Sequence, residues 1–431
     1  MPRNKHFAPD YEPFRKLQLR ISGPFRALNP TRANFQPTPE DNDQGTTSAP
    51  PQGVAGEEDK RVAVGYEYQW RSRDSRKGRH ALILHRPPTK EPLRLVPAPT
   101  ASPRQVLRGL RRMLTSCPYW DVSYLVATLF TAGSVIWVLN GFFAYLPLVR
   151  PSSEFAGELT VALGATAFLG ATVFEVGSVL LLLEAVNERR EGCFGWALER
   201  VLVGAEEEEG TAQRLRPDLE TCRHRHRRRC GRRRRFWGKV FGKNSNPRTK
   251  TSSEEGSAAS PLGNVEENPP SWTWFPSWYD LRTHYLREIG FLASLVQFLS
   301  ATIFWIAGFT ALPGVLDMTN TGLVDGVFWT PQVIGGTGFV ISGILFTLET
   351  QSKWWIPAPG VLGWHVGVWN LVGGIGFTLC GALGFASSSN SGIAYQSSLA
   401  TFWGSWAFLV GSTIQWYESL SKYSVEVIKE K

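Results

Sequence analysis

Three stretches of the chain repeat one pattern of small, aromatic and acidic residues, and this repeat constrains the fold more than any other feature. The copies run from Gly170 to Glu184, from Gly335 to Glu349 and from Gly404 to Glu418. Each copy begins with Gly, carries Phe four residues later, has two adjacent small residues in its middle and ends with Glu. Ungapped copies of one pattern indicate an internal structural repeat.

Long apolar runs predict that the chain crosses a membrane six times. The runs lie at about 124–147, 159–186, 289–313, 327–348, 362–385 and 399–417. Each is long enough for a helix that spans the hydrocarbon layer of about 30 Å. Because each Glu of the repeat closes the second run of a pair, the sequence predicts an all-α membrane protein of three tandem helical hairpins, at 118–190, 273–355 and 356–423.

The distribution of Lys and Arg predicts the orientation of these helices. The loops expected at 148–158, 314–326 and 386–398 contain a single basic residue, Arg150. The Arg-rich segments all fall on the other side. The positive-inside rule therefore places both termini in the cytosol. The sequence does not distinguish the plasma membrane from an endomembrane.

Three segments outside the hairpins read as polar cytosolic chain: an N-terminal arm at 1–117, a linker at 191–272 and a tail at 424–431. The arm and linker are expected to be disordered, because stretches rich in Pro, Gly and charge bury too little apolar surface to offset the entropy of ordering. Two fragments of the arm, 62–70 and 80–85, alternate like strands. Being short and isolated, they are expected to be extended but unpaired.

The first helices of the hairpins carry a second, weaker pattern. Phe130-x-x-Gly133-Ser134-x-x-Trp137 is matched by a run from Phe298 to Trp305 and by one from Asn370 to Phe377. Together with the Gly-x-x-x-Phe-x-x-Gly-Ser pattern, this resembles the YrhK-like domain and a family of uncharacterised fungal multi-pass membrane proteins. The resemblance covers the membrane half, about 118–190 and 273–423, and it implies a fold without supplying an activity or catalytic residues.

The small residues and the Phe of the repeat are predicted to pack helices together. At about 100° per residue they share one stripe of each helix, and small residues let helices approach closely in lipid. The twelve residues concerned are Gly170, Phe174, Gly177, Ser178, Gly335, Phe339, Ser342, Gly343, Gly404, Phe408, Gly411 and Ser412.

The three repeat glutamates, Glu184, Glu349 and Glu418, are expected at the cytosolic ends of their helices. Lys353 and Lys422 each follow a Glu by four residues, which favours local ion pairs. The alternative is a vestibule of three carboxylates that attracts cations.

Glu175 breaks the repeat, because it lies in the middle of a span where the other copies have apolar residues. An ionisable residue at that depth is costly and is a functional candidate. One interpretation is a protonated side chain bonded between helices, with Gln297, Asn370 or Asn140 as its partner. The other is proton or cation handling.

The linker contains a strongly basic run, and the chain carries a net charge of +9. Such a run beside a bilayer is expected to bind anionic lipid headgroups. Its residues are Arg227, Arg228, Arg229, Arg232, Arg233, Arg234 and Arg235. The Cys and His residues at 222–230, which overlap this run, lack a standard zinc spacing. No nucleic-acid-binding fold accompanies the charge, so neither metal nor nucleic acid is expected.

The sequence indicates no enzyme. It contains neither a His-Glu-x-x-His motif nor a phosphate-binding loop, and no cofactor is implied. The sequence favours a structural or scaffolding membrane protein that interacts with lipid. The alternative is a small transporter or channel for protons or cations that uses Glu175.

Overall fold

A computed structural model of the chain describes residues 18–36, 65–86, 99–188, 272–317 and 319–429. Most of these residues are helical. In chain order the helices are α1 (Ser72–Arg76), α2 (Pro103–Thr115), α3 (Val122–Val149), α4 (Leu163–Val186), α5 (Trp278–Thr283), α6 (Ile289–Thr310), α7 (Thr321–Val324), α8 (Thr330–Glu349), α9 (Leu362–Gly384) and α10 (Ser391–Leu420). The polybasic run at 227–235 lies outside the described residues.

Among the described residues, five helical stretches are long and apolar enough to cross a membrane. They are Val122–Val149, Glu158–Val186, Ile289–Thr310, Thr321–Glu349 and Leu362–Gly384. The second and fourth include a π-helical turn that leads into α4 and α8. Helix α10 is longer, at 30 residues, but its many Ser, Thr, Gln and Tyr side chains make it more polar, and it is not among the five. Their length and composition are compatible with an integral membrane protein.

The six long helices pack as a closed ring. Going round it, α3 contacts α4, α4 contacts α6, α6 contacts α8, α8 contacts α9, α9 contacts α10, and α10 returns to α3. Consecutive long helices are therefore neighbours throughout. Helices α3, α6 and α9 begin at one end of the ring, where α4, α8 and α10 finish. We call it the sheet end, for the strands described below.

Six aromatic side chains, one from each long helix, fill the centre of the ring. They are Trp137, Phe174, Phe304, Phe339, Phe377 and Phe408, and all are buried. We call this set the aromatic layer. Its ring centroids lie between 4.9 Å (Trp137 to Phe377) and 6.0 Å (Phe339 to Phe408) apart, distances at which aromatic pairs attract. The bundle is therefore packed through its axis at this level.

The pattern comparison of the first helices is wrong by one residue in α6. It equated Trp305 with Trp137 and Phe377, but Phe304 occupies that place in the aromatic layer. The Trp305 indole instead donates a hydrogen bond of 3.0 Å to Thr172 on α4. A polar ring nitrogen is better satisfied there than in an apolar centre.

A five-stranded sheet accompanies the helices, so the description as all-α is incomplete. Its strands are β1 (Gln18–Ser22), β2 (Arg32–Gln36), β3 (Gly65–Arg71), β4 (His80–Arg86) and β5 (Tyr423–Lys429), in that spatial order. The first four pair antiparallel, and β5 pairs parallel to β4, with His80 opposite Tyr423 and Arg86 opposite Lys429.

The sheet corrects the expectation that the strand-like fragments of the arm are unpaired, and it adds a strand that is not predicted from the sequence. The strand-like fragments of the arm are paired, and the segment after α10 is a strand of the same sheet. Strand β4 lies between β3, its neighbour in sequence, and β5, which is more than 300 residues away, so local alternation could not reveal the second pairing. The remainder of the arm (1–17, 37–64 and 87–98) and of the linker (189–271) lies outside the described residues.

Several glycines let α8 and α9 approach closely, and two of them, Gly374 and Gly336, provide a test of the packing. A Cβ on Gly374 would lie 2.8 Å from the backbone nitrogen of Val340, and one on Gly336 would lie 2.8 Å from that of Thr378. We expect Gly374→Ala to lower stability by about 1–3 kcal/mol, because backbone must move to admit the methyl group. The measurement is thermal unfolding in detergent.

Gly326→Ala is the matched control for this prediction. Gly326 is also helical, but a Cβ there would have no atom within 4 Å. Its melting temperature should stay the same or rise slightly, since Ala favours helix over Gly. Equal melting temperatures for the two variants would contradict the proposed close approach.

Candidate functional site

The connection between β3 and β4 is the most unusual segment of the described structure. It reads Ser-Arg-Asp-Ser-Arg-Lys-Gly-Arg over residues 72–79, and we call it the basic loop. It forms the short helix α1 and then turns back at Gly78, whose φ of 57° suits glycine. Although highly charged, the loop is buried: Lys77 is only 2% exposed and Arg76 only 3%. Buried charges are costly unless they are paired.

The partners of these cations are the three repeat glutamates. Arg73 Nη2 lies 2.7 Å from Glu418 Oε2, Arg76 Nη2 lies 2.6 Å from Glu349 Oε2, and Lys77 Nζ lies 3.2 Å from Glu184 Oε1. The glutamates are 0–2% exposed. Residues three and four apart share one face of a helical turn. A single turn therefore presents one cation to the glutamate of each repeat.

A fourth cation, Arg79, completes the cluster. Its Nη1 atom lies 2.9 Å from Glu418 Oε1 and 2.8 Å from Asp74 Oδ1. Its Nε also donates to the carbonyl of Ser421, just after α10. Glu418 thus receives two arginines, and the loop is attached to the start of the segment that continues into β5.

Small residues at the starts of α3, α6 and α9 make room for these pairs. Ser123 Oγ donates a hydrogen bond to Glu184. A side chain at Gly290 would overlap Arg76, and one at Gly363 would overlap Arg73. These three residues are not among those predicted from the sequence. Their signal is a small residue at the first turn of the first helix in every predicted hairpin.

The electrostatics of the basic loop follow from burial and pairing. Burial lowers the pKa of Lys77, and the charge of Glu184 opposes that shift. Burial would also lower the pKa of Arg73, but Glu418 and the other repeat glutamates more than compensate, so it is raised. The cluster thus holds four basic side chains against Asp74 and the three repeat glutamates, which balances without any further acid.

One more acid, Glu288 at the start of α6, lies beside this balanced cluster. Burial and the nearby Glu188 raise its pKa to about 8. Ser72 Oγ lies 2.9 Å from both Glu288 Oε1 and Glu349 Oε1. A hydroxyl has one proton to donate, so it can serve both carboxyl groups only if one of them donates back to it. A protonated Glu288 that donates to Ser72, which in turn donates to Glu349, satisfies this geometry.

A small cavity lies between the basic loop and the aromatic layer, with a volume of about 30 Å³. That is room for one or two water molecules. Its walls include polar side chains from different helices, among them Ser134, Gln297, Asn370 and Gln415, and its lining reaches Phe174 and Phe408. The cavity is thus bordered by the paired cations and by aromatic rings.

All twelve predicted packing residues are buried in the structure. Phe174, Phe339 and Phe408 belong to the aromatic layer. The small residues face neighbouring helices: a Cβ on Gly170 would lie 2.8 Å from Trp137 Nε1, and one on Gly404 would lie 3.2 Å from the carbonyl of Gly373. The remaining members of the set are Gly177, Ser178, Gly335, Ser342, Gly343, Gly411 and Ser412.

The predicted local ion pairs of the repeat glutamates are wrong. Lys353 lies over the ring of Trp355, and Lys422 binds Asp121, with Nζ 2.6 Å from Oδ2. The repeat glutamates do form a set of three converging carboxylates, as the alternative supposed. Their cations, however, are supplied by the basic loop of the same chain.

Glu175 lies apart from this cluster. Its Oε1 atom accepts a hydrogen bond of 2.9 Å from Thr302 on α6, and its Oε2 atom is buried without a hydrogen-bond partner among the described residues. None of the three predicted partners makes this contact. Asn140 donates instead to the carbonyl of Leu163, and Gln297 and Asn370 line the cavity, whose lining does not include Glu175.

No family model, curated protein or solved structure matches this chain. The resemblance to the YrhK-like domain therefore remains a prediction from the spacing of its motifs.

The ion pairs provide a direct test of the cluster. Glu418→Gln would leave Arg73 buried without its carboxylate and Arg79 with Asp74 alone, and breaking a buried pair in this way costs about 3–5 kcal/mol. We expect a large fall in melting temperature in detergent. Glu426→Gln is the control: Glu426 pairs with Arg71 in the sheet but is 38% exposed, and exposed pairs contribute under about 1 kcal/mol. Similar losses in both variants would show that the cluster is not buried.

The raised pKa of Glu288 predicts a pH dependence of stability. Between its ordinary value of 4.5 and about 8, the folded protein holds a proton that the unfolded chain has released. The Glu288 contribution to stability is therefore present at low pH and is lost as pH rises through about 8. Glu288→Gln mimics the neutral acid, so its melting temperature should fall less between pH 5 and 8. The exposed Glu154→Gln control should keep the wild-type slope, and an unchanged slope in Glu288→Gln would refute the assignment.

Proposed function

We propose that this chain is a scaffolding protein of the membrane. In this proposal six helices, arranged as three tandem hairpins, cross the bilayer, and both termini lie in the cytosol. The hairpins hold a cytosolic β-sheet and the basic linker against the membrane surface. The proposal assigns the protein neither a catalytic role nor a transported substrate.

Equivalent contacts in the three helix pairs support the tandem arrangement. Each pair supplies a glutamate at the end of its second helix and a small residue at the start of its first. Helix α10 supplies Glu418 and Phe408 as α4 and α8 supply their own, and it closes the ring against α3. Its greater polarity is compatible with a span whose polar side chains face other helices.

The sheet supports placing both termini on one side. Because β5 pairs with β4, the segments before α2 and after α10 meet at the sheet end of the ring. The loop at the opposite end that follows α3 contains Arg150, and the loops after α6 and α9 contain no Lys or Arg. The positive-inside rule then makes the sheet end cytosolic. The Arg run at 227–235 would face the same leaflet and bind anionic headgroups.

One observation favours a scaffold over the other function classes: the basic loop joins the sheet to all three helix pairs by buried ion pairs. A scaffold requires a surface held in a fixed position, and these contacts supply it. Transport through the axis would require both the basic loop and the aromatic layer to move. Glu175, the candidate for ion handling, bonds to Thr302 away from the cavity lining.

Limited proteolysis tests the docking of the sheet. The basic loop contains four potential trypsin sites, at Arg73, Arg76, Lys77 and Arg79. We expect the purified protein in detergent to be cleaved after the exposed Lys353 at least about tenfold faster than within the loop, because trypsin needs an accessible, extended segment. Glu418→Gln should accelerate cleavage in the loop and leave the rate at Lys353 unchanged. Equal rates at both places in the wild type would reject the scaffold.

A flux measurement in proteoliposomes addresses the competing function. The wild type and Glu175→Gln should show the same proton and cation leak as protein-free vesicles. A flux that appears with the wild type and is lost in Glu175→Gln would replace the scaffold with a transporter.

A further inference from the structure

Helix α2 has an uncovered apolar face. Val106, Leu107, Leu110 and Leu114 are 38, 68, 50 and 87% exposed. At about 100° per residue these four side chains fall in a sector of roughly 100°. Large apolar side chains grouped in this way mark an interaction surface.

A second face of the same helix is strongly basic. Arg104, Arg108, Arg111 and Arg112 are exposed, and α2 contains no acidic residue. They occupy another sector of about 100°, centred roughly 140° from the apolar one. A basic face beside an apolar face is typical of helices that lie in the plane of a membrane surface.

The third face of α2 fixes its position. Gly109 is buried, and a side chain there would overlap the ring of Tyr417. Tyr417 precedes Glu418 at the end of α10, and α3 begins at Val122, shortly after α2 ends at Thr115. Helix α2 therefore lies beside the ring of six long helices, at the level where those helices begin and end.

Exposed aromatic side chains mark the same level. Phe275 and Trp278 precede α6, while Trp354 and Trp355 follow α8, and they are 58–89% exposed. Trp and Tyr favour the boundary between headgroups and acyl chains. The sheet end of the helix ring thus exposes aromatic residues beside α6 and α8, as a membrane interface would.

We propose that α2 lies flat in the cytosolic membrane interface and binds anionic lipid headgroups. Its leucines enter the acyl boundary, and its arginines contact phosphate or carboxylate groups of the headgroups. This site is separate from the polybasic run of the linker, and it rests on the membrane placement of the proposed function. A bilayer fits this surface better than a protein groove does, because α2 leads directly into the first predicted span.

Depth-dependent quenching tests the position of the apolar face. The five Cys of the chain are replaced by Ser, and single Cys residues are introduced by Leu114→Cys, Arg108→Cys and Val176→Cys for labelling with a nitrobenzoxadiazole dye. In vesicles with brominated acyl chains, we expect quenching at positions 114 and 176 and at least about threefold less at position 108. Val176, which is 48% exposed in the middle of α4, reports whether the ring itself is in the bilayer.

The outcomes separate the two proposals. Quenching at 176 but not at 114 overturns the interfacial helix and leaves the scaffold intact, and it is also the result expected if α2 binds a protein. Absence of quenching at 176 overturns both. The melting temperature of each labelled protein verifies that the Cys replacements have not unfolded it.

A lipid-selectivity measurement tests the basic face. The probe is spin-labelled phosphatidylserine compared with spin-labelled phosphatidylcholine, in chains lacking residues 222–235 so that the linker run does not contribute. Replacing the four arginines of α2 by Gln should lower the preference for phosphatidylserine at least about fivefold. Replacing them by Lys should preserve most of it. An unchanged preference in the Gln variant would overturn headgroup binding.

Discussion

The structure depends on the burial of charge where a polar loop meets the ends of apolar helices. Glu184, Glu349 and Glu418 all lie in the last turn of a helix, where a carboxylate interacts unfavourably with the helix dipole. Each is nevertheless buried, because one turn of the basic loop supplies a cation to each. Buried ion pairs seldom add much net stability, but losing one partner is costly. The pairs therefore act as a condition on assembly: the buried charges are all paired only when the helix ring and the sheet are both correctly placed.

The same condition explains several features that otherwise look unrelated. Gly290 and Gly363 leave space for arginines, and Ser123 donates to a carboxylate. A protonated Glu288 allows Ser72 to bridge two acids without adding a fifth negative charge. The aromatic layer lies below this region and seals the axis. The buried ion pairs at one level and the packed aromatic rings at the next close the bundle at its sheet end.

The sequence predicts the long helices well because their signals are local. Five of the six apolar runs coincide with described helices that are long and apolar enough to cross a membrane, and the repeat indicates Phe174, Phe339 and Phe408, which the structure brings together. The predicted partners failed where the true contact is distant in sequence. Spacing predicts Lys422, four residues away, as the partner of Glu418, which instead binds Arg73 and Arg79. Nothing local distinguishes the basic loop from an ordinary solvated turn, and nothing local to β4 reveals that β5 is its neighbour.

The order of the ion pairs along the chain has a consequence for biosynthesis. Lys77 pairs with the first repeat glutamate, Arg76 with the second and Arg73 with the third. The basic loop is synthesised before any of the long helices, so its cations are present before any of their carboxylate partners. Each pair of long helices, once made, adds one carboxylate to this set. The parallel pairing of β5 with β4 becomes possible only after α10 has been made, so a complete sheet requires all three helix pairs.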